Sequence, residues 1–136
     1  MNTKELDGYL KFLSEKQTAV QESGFDVEDS DLSPQLFPFQ KYCVKRALKV
    51  GRFAMFEDCG LGKTYQQLEW AQQVVNHINK PVLILAPLGV IGQTIKEGVH
   101  FGYKVTEIAL TTFDQDLAAG IYITNYDNMD NIDAYL

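Results

Sequence analysis

Cysteine, histidine, tryptophan and proline are all scarce in this sequence, with two, two, one and four residues respectively. Cys43 and Cys59 alone make neither a disulfide framework nor a metal cluster, and reduced thiols suit an intracellular compartment. No run approaches the roughly 18 apolar residues of a membrane span. The opening Met-Asn-Thr-Lys-Glu-Leu-Asp lacks a basic region followed by an apolar one, so no secretory signal or membrane partner is expected and the expected location is cytoplasmic. Basic residues are a minority as well. Twelve Lys and Arg against 18 acids leave a net charge of −6, which argues against a generic nucleic-acid glue for the chain taken whole.

The charge is unevenly spread. Residues 1–35 hold three lysines and eight acids, a net of −5. Lys41, Lys45, Arg46, Lys49 and Arg52 then follow with no acid among them. Lys41, Lys45 and Lys49 recur every fourth residue while Val44, Ala47 and Leu48 cover the other side, which reads as the solvated face of a helix rather than a phosphate contact.

What the chain does contain is Cys59-Gly60-Leu61-Gly62-Lys63-Thr64, set between an apolar run and a helical one. Phe53-Ala54-Met55-Phe56 reads as a buried strand, and Thr64 opens a helix with Leu68, Ala71, Val74, Val75 and Ile78 at spacings of three and four. Strand, glycine loop and helix are the context that a phosphate-binding loop requires. Gly60 and Gly62 let backbone N–H groups converge on an anion at the positive end of a helix dipole. Lys63 would reach the β- and γ-phosphates and the Thr64 hydroxyl would ligate Mg²⁺. The general pattern begins with a glycine where this chain has Glu57, so only its second half is strict.

Upstream, Leu6, Tyr9, Leu10, Leu13 and Val20 predict an amphipathic helix within residues 3–22, docked on the same chain or on a partner. The acidic, turn-prone stretch 25–34 reads as a linker or loop rather than core, making 1–34 an extension and 35–136 the main domain. In Pro38-Phe39-Gln40, Pro38 fits the first turn of a helix. The Gln40 amide could pair with N6 and N7 of adenine, with Phe37 or Phe39 packed on the base. Downstream, Asn79-Lys80-Pro81 closes the helix. Strands are expected at 82–86, 103–109 and 121–124, a helix runs from Val90 to Val99, and 111–119 is a loop. Long crossovers between such strands mean an α/β fold, a parallel sheet with helices on both faces. Trp70 and His77 are read as core and surface residues, and Asp127, Asp130 and Asp133 as the solvated face of a short helix.

In this order the segments resemble the first RecA-like lobe of superfamily 2 helicases, in the branch of Swi/Snf-type translocases and phage or bacterial DEAD/DEAH-like helicases. Pro38-Phe39-Gln40 is similar to the adenine-reading glutamine motif. Glu57 to Thr64 is similar to motif I, which often reads D-E-x-G-L-G-K-T, so Glu57 fits the family form. Leu85 to Gln93 resembles motif Ia and Ile123 to Tyr126 motif Ib. The resemblance implies ATP and Mg²⁺ as cofactors, held by Gln40, Gly60, Leu61, Gly62, Lys63 and Thr64, with Thr64 on the metal. It also implies DNA contacts at Pro87, Leu88, Thr124 and Asn125. Gly89 and Thr94 stand where the family often has Ser and Trp. Motif II, D-E-x-[HD], does not occur in these 136 residues, and Asp127 is a poor substitute because Asn125 and Tyr126 separate it from the strand. The second lobe and its arginine finger are absent too.

The expectation is an incomplete P-loop NTPase lobe. It would be the ATP-binding part of a helicase or translocase, slow at hydrolysis alone and partnered by the remainder of the motor core. The alternative is a non-catalytic interaction or regulatory protein with a relic phosphate loop.

Overall fold

A computed structural model describes residues 7, 8, 10–12, 22–108 and 117–131. Its elements are helix α1 (Pro38–Val50), helix α2 (Lys63–Ile78), strand β1 (Pro81–Ala86), helix α3 (Leu88–Phe101), strand β2 (Val105–Glu107), strand β3 (Gly120–Asn125) and a 3-10 helix, Tyr126–Asn131. The three strands form one parallel sheet in the order β1-β3-β2. The chain is therefore α/β, as the alternation of strand and helix patterns requires.

Local chemistry sets the boundaries. Pro38 occupies the first turn of α1, where its missing N–H is not needed. Asn79 ends α2 in the left-handed conformation, its N–H returning to the Val75 carbonyl. Only Lys80 separates that cap from β1, so α2 runs antiparallel to the strand. The amino ends of α2 and α3 consequently lie at the carboxyl edge of the sheet.

One core joins these elements. Val82, Ile84 and Ala86 of β1 and Ile121 and Ile123 of β3 point to the same face, against Leu68, Ala71 and Val75 of α2 and Ile91 of α3. Fully burying a side chain such as Leu68 or Ile123 contributes about 1.5–3 kcal/mol. α2 and α3 touch each other and both touch β3, so they share this face. Leu83, Leu85 and Tyr122 on the reverse face are only half-buried. Among the described residues the helices thus cover one face of the sheet rather than two. The continuous apolar run of β1 suggested two covered faces, yet alternation of burial within it separates them.

The expected strand at Phe53–Phe56 is corrected. The segment has no regular secondary structure and pairs with no strand among the described residues, and Phe53 and Phe56 are 46% and 97% exposed. Apolar composition alone does not bury a strand; it needs a neighbour to satisfy its backbone. The acidic stretch also differs from the expected linker. Leu32 and Leu36 enter the core, and Phe25 and Val27 pack against it. Most of the N-terminal stripe lies outside the described residues, although residues 7, 8 and 10–12 include helical turns with Leu10 half-exposed. Residues 111–116 of the expected loop 111–119, Ala109 and Asp133 also lie outside them. No helix among the described residues is long and apolar enough to cross a membrane.

Candidate nucleotide-binding site

The loop from Glu57 to Gly62 is held from below by two amide side chains. Gln40 is 4% exposed. Its Oε1 accepts from the Phe37 N–H at 3.0 Å, the half of a capping box that a glutamine at the third helical position can supply. Its Nε2 donates to the Leu61 carbonyl at 2.9 Å. The wholly buried Gln66 donates to the same carbonyl at 3.2 Å and to Glu57 Oε2 at 2.7 Å. Two oxygens of this foundation, Gln66 Oε1 and Glu57 Oε1, have no donor among the described residues. Burial and hydrogen bonding to Glu57 push the Cys43 thiol above its ordinary pKa.

Above that foundation the backbone turns through Gly60 at φ 80° and Gly62 at φ 75°, a region that side-chain-bearing residues avoid. Lys63 then starts α2. No side chain caps this helix, and the N–H groups of Lys63, Thr64 and Tyr65 precede the first intrahelical bond, made by Gln66 N–H to the Gly62 carbonyl. The Lys63 ammonium folds back onto the loop, donating to the Glu57 carbonyl at 3.0 Å and to the Asp58 carbonyl at 2.7 Å. Asp58 in turn accepts from the Cys59 N–H at 2.8 Å. Converging N–H groups, a cation and a helix dipole favour an anion at this point.

Grooves open on both sides. One, of about 740 Å³, is bounded by Phe37, Phe39, Gln40, Gly60, Leu61 and Phe101. Phe37 and Phe39 lie with nearly parallel rings, 8° apart in tilt and 6.3 Å between centroids, and Phe37 is 65% exposed. The other, of about 650 Å³, is bounded by Arg52, Phe53, Met55, Lys63, Thr64 and Trp70. All six expected nucleotide-binding residues, Gln40, Gly60, Leu61, Gly62, Lys63 and Thr64, therefore fall in one place. Gln40 sits there as a buried brace rather than a free reader.

The four expected nucleic-acid residues meet at the carboxyl edge of the sheet. Ala86 and Leu85 stand opposite Asn125 and Thr124 in the β1–β3 register, which sets Pro87 and Leu88 beside Asn125. Pro87 and Leu88 are exposed. Thr124 is buried, and its hydroxyl accepts from Asn128 Nδ2 at 2.9 Å. Asp127 is exposed in the first turn of the 3-10 helix.

A second polar centre escaped the sequence reading. Glu69, buried on α2, accepts from the Tyr103 hydroxyl, from the Ser33 N–H at 3.2 Å and from Gln73 Nε2 at 2.8 Å. Gln73 also donates to the Asp31 carbonyl at 2.7 Å, and Ser33 and Tyr65 share a hydrogen bond between hydroxyls. Burial, then the neighbouring Glu69, hold the Tyr103 phenol well above its usual pKa. The cluster ties residues 31–33 and Tyr103 to the helix that follows the loop. Its only sequence signal is an acid on the apolar side of an amphipathic helix. His77 is exposed and stacks on Phe25, with centroids 3.8 Å apart; Trp70 is partly buried. Among the described residues no group of three or more His, Cys, Asp or Glu could hold a metal.

No protein-family model matches this chain, and no curated protein matches it either.

Proposed function

We propose that this chain is the ATP-binding part of an ATP-dependent DNA helicase or translocase, with a RecA-like arrangement of its sheet. The observation that carries the nucleotide reading is the posture of Lys63. Its ammonium lies across the loop carbonyls of Glu57 and Asp58, at the uncapped start of a 16-residue helix. An anionic phosphate arriving there exchanges two neutral acceptors for charged ones, a stronger hydrogen-bonding arrangement.

The residues present fit a nucleoside triphosphate. A Cβ at Gly60 would meet nothing within 4 Å, so the loop is open on its outer side, and three helix N–H groups await acceptors. In this reading Gly60, Leu61 and Gly62 wrap the phosphates and Lys63 holds the β- and γ-oxygens. Phe37 and Phe39 take the face of the adenine. Gln40, already bonded to Phe37 N–H and Leu61 carbonyl, fixes the distance between base groove and loop. Thr64 Oγ1 is the protein oxygen we assign to Mg²⁺, which offsets phosphate charge when bound. Pro87, Leu88 and Asn125 would face the DNA backbone from the sheet edge, with Thr124 steadying Asn128 behind them.

Thermal unfolding with and without ATP–Mg²⁺ tests the reading. Ligand at 100 times its dissociation constant stabilises the fold by about 2.7 kcal/mol, and Lys63→Ala should remove most of that gain. An unchanged melting temperature at millimolar ATP–Mg²⁺ would instead favour a relic loop in a non-catalytic interaction protein.

A further inference from the structure

Four ion pairs join residues 22–29 to one side of α1. Lys45 Nζ meets Asp29 Oδ1 at 2.6 Å and Arg46 meets Glu22 Oε1 at 2.9 Å. Lys49 Nζ lies 3.3 Å from Asp26 Oδ1 and 3.7 Å from Glu22 Oε2. Lys41 Nζ adds a bond to the Asp29 carbonyl at 3.1 Å. The basic stripe that reads as a solvated face is thus covered by the chain's own acids.

These acids are not what holds the segment down. Ser23, Gly24 and Phe25 donate their N–H groups to the carbonyls of Val50, Lys49 and Leu48, capping the end of α1. Leu32 and Leu36 anchor the other end in the core. Ion pairs between exposed side chains add little to stability. The carboxylates Glu22, Asp26 and Asp29 of this independently anchored segment therefore call for another explanation.

The covered face has the composition of a nucleic-acid track. Lys41, Lys45 and Lys49 recur about 6 Å apart along the helix axis. Tyr42, 70% exposed, lines a groove of about 600 Å³ between helix and segment together with Lys41, Lys45, Arg46 and Lys49. Cations in a row follow a phosphate backbone, and an exposed ring among them stacks an unpaired base. Asp29, Asp26 and Glu22 are the anionic groups that occupy Lys45 and Lys49 in the chain itself.

We infer that α1 carries a binding face for single-stranded nucleic acid and that residues 22–31 mask it as an internal mimic of the phosphate backbone. The inference uses only α1 and its acidic cover, so it stands apart from the nucleotide-binding reading of the loop.

The test is fluorescence anisotropy of labelled oligo(dT) against the full chain at several salt concentrations. Asp26→Asn/Asp29→Asn should bind about tenfold or more tightly than the parent, and its log–log salt slope should steepen by roughly 1.4, the value for two freed cations on a single strand. Asp7→Asn/Glu107→Gln, which removes the same charge from exposed positions elsewhere, should stay within about twofold of the parent. Adding Lys45→Gln/Lys49→Gln, the partners of the two altered acids, to the first variant should restore parental binding. Equal tightening by both double variants, or none by the first, overturns the inference. So does a gain confined to phosphatidylserine vesicles with no gain on oligo(dT). Melting curves of the variants confirm that the fold is intact, and both altered acids are exposed in the parent.

Discussion

Gln40 and Gly62 are in such close contact that a Cβ on the glycine would lie 2.5 Å from Gln40 Nε2. Gly60, two residues earlier and with nearly the same backbone twist, has open space at the equivalent point. Alanine at either site costs about 1–2 kcal/mol for the left-handed backbone. Gly62→Ala should cost more than that, because it also pushes Gln40 off the Leu61 carbonyl. Urea unfolding of the two variants gives the comparison, and equal losses would mean that Gln40 yields freely. Gly62→Ala should also abolish the melting-temperature gain from ATP–Mg²⁺.

Tyr103 gives the fold an alkaline limb. Its phenol pKa is raised above the ordinary 10.0, so the folded state keeps a proton that the unfolded chain releases. The stabilisation is complete below about pH 10 and declines as pH rises further. Tyr103→Phe should cost about 1.5–3 kcal/mol at neutral pH, the range for a hydrogen bond to a charged group. The gap between variant and parent should narrow above pH 10 in urea titrations repeated across that range.

Phe56→Asp should leave stability within about 0.5 kcal/mol of the parent, as for surface substitutions generally. The ring is 97% exposed although it sits in an apolar run. A large drop in the urea midpoint would mean that Phe53–Phe56 is buried in solution.

ATP turnover by these 136 residues should be very slow, because they contain no D-E-x-[HD] acid to hold Mg²⁺ and activate water. Asp127→Ala should leave the residual rate unchanged, since Asp127 is an exposed residue of the 3-10 helix. Steady-state phosphate release, with and without DNA, measures both. Fast turnover that Asp127→Ala removes would make Asp127 the missing acid.

Where local chemistry decides the structure, the sequence was readable. Pro38 starts α1, Asn79 stops α2, and Gly60, Gly62 and Lys63 form the loop that their types require. Features that depend on distant partners were not. Gln40 looks like a reader of bases until Leu61, 21 residues on, takes its amide. Phe53–Phe56 has the composition of a strand, but composition does not supply the neighbour that pairing demands. The stretch 25–34 is rich in acids and turn formers, yet Leu32 and Leu36, four residues apart, are enough to seat it in the core. Glu69 was invisible because its three donors come from residues 33, 73 and 103.

The middle strand of the sheet is the last of the three along the chain, and β1 and β2 meet only through it. On a ribosome adding about 5–20 residues per second, β1 is complete roughly 2–8 s before β3. Until β3 is made, Val82, Ile84 and Ala86 have no strand to pair with, and non-local pairing of this kind is intrinsically slow. Neither outer strand has its partner until the last-made strand arrives, so closing the sheet is a late, non-local step of folding.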